Sequence, residues 1–495
     1  AGRGGQPGRP RHHAPAEALL ELAEVQRQRL LRLGCGEGPF ALLTRNSVAC
    51  GAALKAAADL GSAVVLLPSP ALLPLAVRHA RVRRAVGVDD RGELALLPEE
   101  ELGCGGCPWL SADAFRAGGT SAGACVVFTS GSGQAGPKLA AYRWDSCRIQ
   151  AETTAQRTLA DAAPLGGRIR FVAASNIGHA YNLNGFFSAL AAGAEVCLPG
   201  SAGELAETLA AAAPGGCEAS VLFATPQTYQ SLLREPAVAS GELRRRLAAQ
   251  GAPPLHAFSA GCPLPPAAAR GVAEGLGVQV LQNYGSSETG NIALQDLPSA
   301  GAPRADLEQE PENGGTDVGT PWGKVELRPP LGGRLLPPGA EGEICVHVAW
   351  GSEGYLRDGE LAPHDAAPFV RTGDAGRWCG AEAGGGAARR LVVMQRLRPP
   401  LQVARAGLRL LLQPYEVEAA LLAADPSATA AAALQGPGGA LHCAVAGGGG
   451  PPGGAALAGP VQPDRLLRLA ELPTSPAGKV LYSRIAALFE AEGER

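Results

Sequence analysis

A chain of 495 residues, 46% hydrophobic and 18% charged, is too long for one core and has the make-up of a soluble globular protein with two or more domains. A net charge of −3 gives no general field for polyanions. It argues against nucleic acid as the principal partner and requires any anion site to be local.

No run approaches the roughly 18 apolar residues of a membrane span. Residues Ala1 to His13 are rich in Gly, Pro, Arg and His and are expected to be a disordered start without an export signal. The 12 cysteines are then expected as reduced thiols of a cytoplasmic protein. Cys104-Gly-Gly-Cys107 lacks the second ligand pair that a zinc site needs.

In chain order, Pro15 to Leu33 predicts an amphipathic helix ended by Gly34. Phe40–Leu43 reads as a strand, Asn46 as the cap of a helix running to about Leu60, and Ala63–Leu67 as a buried strand. That unit builds a parallel sheet. Similar apolar runs follow at Cys125–Phe128, Phe171–Ala174, Glu195–Leu198, Val221–Ala224, His256–Phe258 and Val278–Leu281. Polar residues gather at their carboxyl ends, where α/β folds carry functional loops. Val318 to Trp378, with Glu343–Val348, predicts a small β-rich subdomain. After Leu391–Met394 the last hundred or so residues predict a small α+β domain.

Three segments carry chemistry. Thr129-Ser-Gly-Ser-Gly-Gln-Ala-Gly-Pro-Lys138 combines hydroxyls, glycines that let backbone N–H groups approach, and a lysine, which together suit a polyphosphate cradle. It is not a Walker P-loop. Asn283-Tyr-Gly-Ser-Ser-Glu-Thr-Gly290 offers a carboxylate among hydroxyls, enough for Mg²⁺ beside phosphates. Val370-Arg-Thr-Gly-Asp-Ala-Gly376 is read as a tight turn whose Asp374 accepts both hydroxyls of a ribose.

In that order and spacing, the segments resemble the adenylate-forming superfamily of acyl-CoA synthetases, non-ribosomal peptide synthetase adenylation domains and luciferases. Thr129–Lys138 resembles its T-S-G-[ST]-[ST]-G-x-P-K loop, Tyr284–Glu288 its Y-G-x-T-E, and Val370–Asp374 its Y-x-T-G-D. Ser259–Leu264, Gly319–Pro321, Gly342–Ile344 and Leu472–Lys479 resemble further motifs in sequence. The resemblance implies an α/β fold. Its large N-terminal domain has two parallel-sheet subdomains and a small β-rich one, and a small mobile α+β domain follows. The expected boundaries are 1–394, a hinge at 395–400, and 401–495.

It also implies roles. Thr129, Ser130, Gly131, Ser132 and Lys138 would hold the ATP phosphates. Tyr284 would stack near adenine, with Asn283, Gly285, Ser287 and the Ala260–Gly261 backbone beside it. Glu288 would carry Mg²⁺, Asp374 the ribose, and Arg396 would match the arginine of the hinge motif. Gly407 would line the thiol tunnel. Lys479 would join the substrate carboxylate to the α-phosphate, offsetting the repulsion of two anions as they react. His179, with Tyr181, Asn182 and Asn184, would line a partly polar acid pocket, leaving aryl, functionalised and fatty acids all open.

The phosphate loop is one residue longer than the family pattern, and Ser287 replaces a threonine. At the hinge, Arg398-Pro399-Pro400 replaces an acidic or lysine pivot, and the spacing to Gly407 is about two residues longer. The expected activity is formation of acyl-AMP from an acid and ATP with Mg²⁺, then transfer to coenzyme A or to the phosphopantetheine arm of a separate carrier protein. Two alternatives stand: adenylation alone or capture by an amine, and a non-catalytic nucleotide-binding homologue.

Overall fold

The computed structural model describes residues 12–36, 38–82, 84–89, 91–97, 124–129, 137–159, 168–211, 216–249, 252–295, 315–329, 340–364, 368–379, 389–398, 401–405, 408–412, 414–425, 427–447, 462–474 and 480–493. Two eight-stranded sheets dominate it. Each is parallel at its centre and antiparallel at its edges. In one, the strands Ala124–Phe128, Val64–Leu67, Phe40–Leu43 and Arg84–Val88 run parallel side by side. In the other, Glu195–Cys197, Ile169–Ala173, Ala219–Ala224, Leu255–Ser259 and Val280–Ser286 do the same. These strands are near-continuous apolar runs because helices or the other sheet cover both faces.

The two sheets share the largest core, which includes Leu42, Leu66, Phe171, Phe186 and Phe223. The helices Val48–Asp59 and Ala180–Ala191 meet there, and a Cβ added at Gly51 would stand 2.8 Å from the Phe186 ring. The first helix, Ala16–Arg32, buries Leu19, Ala23, Gln26 and Leu30 at intervals of one helical turn. Gln26 is the polar member of that stripe, and its Nε2 donates to the Gly92 carbonyl at 3.1 Å.

A five-stranded antiparallel sheet follows, in the order Thr316–Asp317, Arg390–Arg396, Val370–Cys379, Gly342–His347, Lys324–Arg328. This matches the expected β-rich subdomain with one exception. The hairpin Gly354–Arg357 and Glu360–Pro363 leaves it to pair with Leu139–Arg143 at the edge of the first large sheet. The final segment is α+β, with the strand pair Leu401–Arg405 and Leu408–Leu412 and a three-stranded sheet. The helices Pro414–Ala424 and Tyr482–Gly493 belong to the same segment. Val403, Val417, Leu441 and Cys443 form a core of its own.

Three expectations need correction. Ser47, not Asn46, caps the second helix by accepting from the Cys50 N–H. Asn283 to Ser286 continue a strand instead of following one. Asp374 lies in the middle of the ten-residue strand Val370–Cys379 and not in a tight turn. Among the described residues the cysteines are free and no helix is long and apolar enough to cross a membrane. Cys104 and Cys107 lie outside the described residues.

Candidate active site

The Tyr284–Glu288 motif is a hairpin at the end of the second large sheet. Val280–Ser286 turns at residues 287–289 into the antiparallel strand Gly290–Leu294. The turn is tied by hydroxyls: Ser286 Oγ accepts from the N–H groups of Glu288 and Thr289 at 3.1 and 3.2 Å, and Thr289 Oγ1 from the Ser286 N–H at 3.2 Å. Gly285 is required by close approach, since a Cβ there would lie 2.2 Å from the Gly290 carbonyl oxygen.

Two elements of the first sheet reach over to hold this turn. Tyr142 donates to the Ser287 carbonyl at 2.6 Å, and the Ser352 N–H to the Glu288 carbonyl at 2.7 Å. Tyr355 donates its hydroxyl to Glu288 Oε1 at 2.7 Å, while Lys138 Nζ sits 4.7 Å from the centre of the Tyr355 ring. Tyr355 thus joins the carboxylate of one motif to the lysine of another.

Asp374 is anchored from three sides. Its N–H donates to Thr372 Oγ1 at 3.1 Å, its Oδ2 accepts from the Tyr284 hydroxyl at 2.8 Å, and its Oδ1 accepts from Arg396 at 2.9 Å. Arg396 also donates to the Thr372 carbonyl at 2.6 Å. Gly373, at φ 72°, takes the left-handed conformation that aims the next carboxylate at both partners. Burial, and then the Asp374 charge, push the Tyr284 hydroxyl well above its usual range, so it stays a proton donor.

Between the sheet ends lies a cavity of about 400 Å³ lined by His179, Tyr181, Asn182, Thr225, Gly261, Gly285 and Ser287, among others. It brings together sequence-predicted residues of the acid pocket and of the nucleotide motifs. His179 occupies the N-cap of helix Ala180–Ala191 in extended backbone. Asn184 is turned elsewhere: its amide donates to Thr154 Oγ1 at 2.9 Å and its carbonyl accepts from Ser188. Asn283 is buried, and neither amide atom has a partner among the described residues.

The strands Ala124–Phe128 and Leu139–Arg143 form an antiparallel hairpin, and its loop is the Thr129–Lys138 segment. The Thr129 N–H donates to the Lys138 carbonyl at 2.8 Å, closing the loop at its base. A strand follows the loop, where a Walker loop has a helix. Ser130, Gly131, Ser132, Pro399, Pro400, Gly407 and Lys479 lie outside the described residues. Arg398 donates to Glu418 at 2.6 Å and to the Ala433 carbonyl at 3.1 Å, and stacks 4.2 Å from the Tyr482 ring centre. Burial raises the Glu418 carboxyl, with Arg398 opposing that shift.

Sequence reasoning missed Tyr355, Tyr142 and Asn46. Tyr355 sits in a segment assigned to the wrong sheet, and only the pairing with Leu139–Arg143 reveals its reach. Asn46 bridges the two large sheets. Its Nδ2 donates to the carbonyls of Ser175 and Pro199, both at 2.9 Å, and its Oδ1 accepts from the Ile177 N–H at 3.1 Å.

The second large sheet carries a hydroxyl-tied turn at Glu288, and the five-stranded sheet carries an aspartate held between tyrosine and arginine. The chain belongs to the AMP-binding enzyme family, whose model matches residues 18–356. It is 29% identical over 164 residues to a 3-hydroxybenzoate/4-hydroxybenzoate–CoA ligase of Thauera aromatica, a match spanning 31% of this chain and 28% of that ligase. In fold it is similar to ATP-bound MatB from Rhodopseudomonas palustris, with a TM-score of 0.68 and 18% identity over 97% of this chain and 96% of that one. It is likewise similar to the amide bond synthetase McbA from Marinactinospora thermotolerans, with a TM-score of 0.66 and 21% identity over 97% of both chains.

Proposed function

We infer that the protein activates a carboxylic acid with ATP. A carboxylate oxygen attacks the α-phosphorus, a mixed acyl–phosphate anhydride forms, and pyrophosphate leaves. A thiol, either of coenzyme A or of the phosphopantetheine arm of a separate carrier protein, then attacks the acyl carbon and AMP departs. The observation that carries this reading is the convergence of Tyr284 and Arg396 on the Asp374 carboxylate, with Gly285 and Ser286, which follow Tyr284 in the chain, lining the His179 cavity.

Among the described residues each carboxylate oxygen of Asp374 has one side-chain donor and keeps a lone pair, which suits the two ribose hydroxyls. Asn283, with both amide atoms unpaired, suits the donor and acceptor edge of adenine beside Tyr284 and the Gly261 backbone. The Thr129–Lys138 hairpin loop, with Ser130, Gly131 and Ser132, is assigned to the β- and γ-phosphates, and Lys479 to the α-phosphate and acid.

Glu288 fits Mg²⁺: it is one half-buried carboxylate, held by Tyr355 through Oε1, and its other oxygen would be the one to serve the ion. When bound, the ion would neutralise phosphate charge as pyrophosphate leaves. The large unit is assigned to 1–394, the hinge to 395–400 and the small unit, with Gly407 on the thiol path, to 401–495. Cytoplasmic metabolites are the expected substrates.

The non-thiol alternative rests on Arg398. It occupies the pivot position yet is tied to Glu418, Ala433 and Tyr482 of the following segment, which supports a restricted swing. Single-turnover reactions with labelled acid separate the two readings: thioester in the presence of coenzyme A or a carrier supports the first, and acyl-AMP that accumulates until an amine is added supports the second.

A further inference from the structure

The segment that brings His179 to its cavity is held from the opposite sheet. It runs from the end of strand Ile169–Ala173 to the start of helix Ala180–Ala191. Its residues Ala174, Ser175 and Asn176 also line a second, adjoining cavity of about 530 Å³, so the segment is a wall common to both spaces. Arg45 and Glu204 belong to the second space and His179 to the first.

A connecting loop has no ladder of its own, so its place is set by whatever satisfies its backbone groups. Here those partners come from the end of strand Phe40–Leu43. Asn46 takes the Ser175 carbonyl and the Ile177 N–H. Thr44 acts through Asn176, whose Nδ2 donates to the Thr44 carbonyl at 2.9 Å. The Asn176 Oδ1 accepts from the Gly178 N–H at 2.8 Å and from the Thr44 hydroxyl at 2.7 Å. Turning the amide over would set donor against donor, so only one orientation serves all three. The Leu67 carbonyl is 3.1 Å from the same hydroxyl, but the proton belongs to the shorter contact, where two bare oxygens would repel.

The chain of contacts continues to His179. The Asn176 carbonyl accepts from the His179 N–H at 3.1 Å, and the His179 carbonyl from the Leu183 N–H at 2.9 Å in the first turn of the helix. Packing fixes the same arrangement. Thr44 is 2% exposed, and Ile177 is buried in the core that the two sheets share. A Cβ at Gly178 would stand 2.3 Å from Thr44 Oγ1, although the φ of Gly178 is not left-handed. Glycine is required there by Thr44 and not by the turn. Neither Thr44 nor Gly178 lines the His179 cavity; Thr44 lines the second cavity and Gly178 lines neither.

We propose that Thr44 and Asn176 are positioning residues for the acid: they fix where His179 and the first turn of its helix stand, and so where the acyl group lies. This rests on the adenylation reading with His179 in the acid pocket. A shift of about 1 Å in a positioning group, even one far from the reacting atoms, is felt strongly at the substrate.

The test is ATP–pyrophosphate exchange with the full chain, read as separate KM values for ATP and for the best acid of a panel of benzoates, fatty acids, dicarboxylates and amino acids. Thr44→Val keeps the shape of the side chain and removes the hydroxyl. Gly178→Ala pushes the segment off Thr44 without adding an atom to either lining. Each is expected to raise the KM for the acid at least about fivefold and to leave the KM for ATP within about twofold. Thr44→Ser, which keeps the hydroxyl, is expected to stay within about twofold of the native chain in both. A smaller folded fraction changes neither KM, so a purely structural role does not produce that split. Should one variant not fold, the other decides by the same readout. An unchanged acid KM in either folded variant overturns the proposal and leaves adenylation standing. So do acid and ATP KM values that rise together, or a Thr44→Ser chain that behaves like Thr44→Val. Exchange with no acid in the panel overturns both.

Discussion

Replacing Asp374 by asparagine is a near-isosteric change with a calculable consequence. In the native chain Oδ1 accepts from Arg396 at 2.9 Å and Oδ2 from Tyr284 at 2.8 Å. Arg396 can only donate, so the new amide must turn its oxygen toward Arg396 and its NH₂ toward Tyr284. Tyr284 can reverse its hydroxyl and accept. A ribose approaching the same side chain then meets one neutral acceptor and one donor in place of two charged acceptors. Hydrogen bonds to charged groups are worth about 1.5–3 kcal/mol against about 0.5–1.5 for neutral ones. The loss across two ribose contacts is about 1–3 kcal/mol, or roughly 5- to 150-fold in the KM for ATP.

The cost to folding should be small. The Arg396 side chain is 48% exposed, and so screened a pair adds about 0–1 kcal/mol. ATP-dependence of pyrophosphate exchange, read beside a urea unfolding curve, separates the two effects. An unchanged KM for ATP with a large drop in unfolding midpoint would refute the ribose assignment and leave Asp374 a purely structural anchor.

Asn46→Ala removes the bonds from Asn46 to Ser175, Ile177 and Pro199 that link the sheets, and about 2–4 kcal/mol of stability should go with them in chemical denaturation. Tyr355→Phe keeps the ring beneath Lys138 but frees Glu288 Oε1; the Mg²⁺ concentration for half-maximal exchange should rise several-fold, to about tenfold, while the melting temperature moves little. An unaltered Mg²⁺ titration counts against Glu288 as the metal ligand. His442, stacked on Phe489 and facing Arg465, Asp464 and Gly436, has its pKa lowered from 6.5 by burial first and then by Arg465. The unfolded chain therefore binds the proton more readily. This contribution to stability is present above pH 6.5 and is lost as pH falls through that value toward the lower folded one. His442→Phe should flatten the slope of stability against pH in that window.

The parallel strands were legible because buried strands are uninterrupted apolar runs, and Phe40–Leu43 coincides with its strand end to end. The first helix was legible from its periodicity. Asn46 was misread because an asparagine before an apolar helix looks like a cap, yet Ser47 one residue later does that work and frees Asn46 to span the sheets. The Asp374 segment was misread because glycines at 373 and 376 signal a turn, whereas here they admit a left-handed residue and a bulge inside a long strand. Motif order brought Tyr284, Glu288, Asp374 and Arg396 into view, since each lies on a short local pattern. Tyr355 had no such pattern of its own: its role depends on a strand that crosses to another sheet, where Tyr355 pairs with Ala140, a partner far off in the chain that local sequence does not encode.

Acid-dependent exchange of labelled pyrophosphate into ATP tests the central claim most directly, run on the native chain and on Lys479→Ala across a broad carboxylate panel. The account predicts exchange with a subset of acids and its collapse in the variant. Silence across the panel, or exchange that Lys479→Ala leaves untouched, would contradict it.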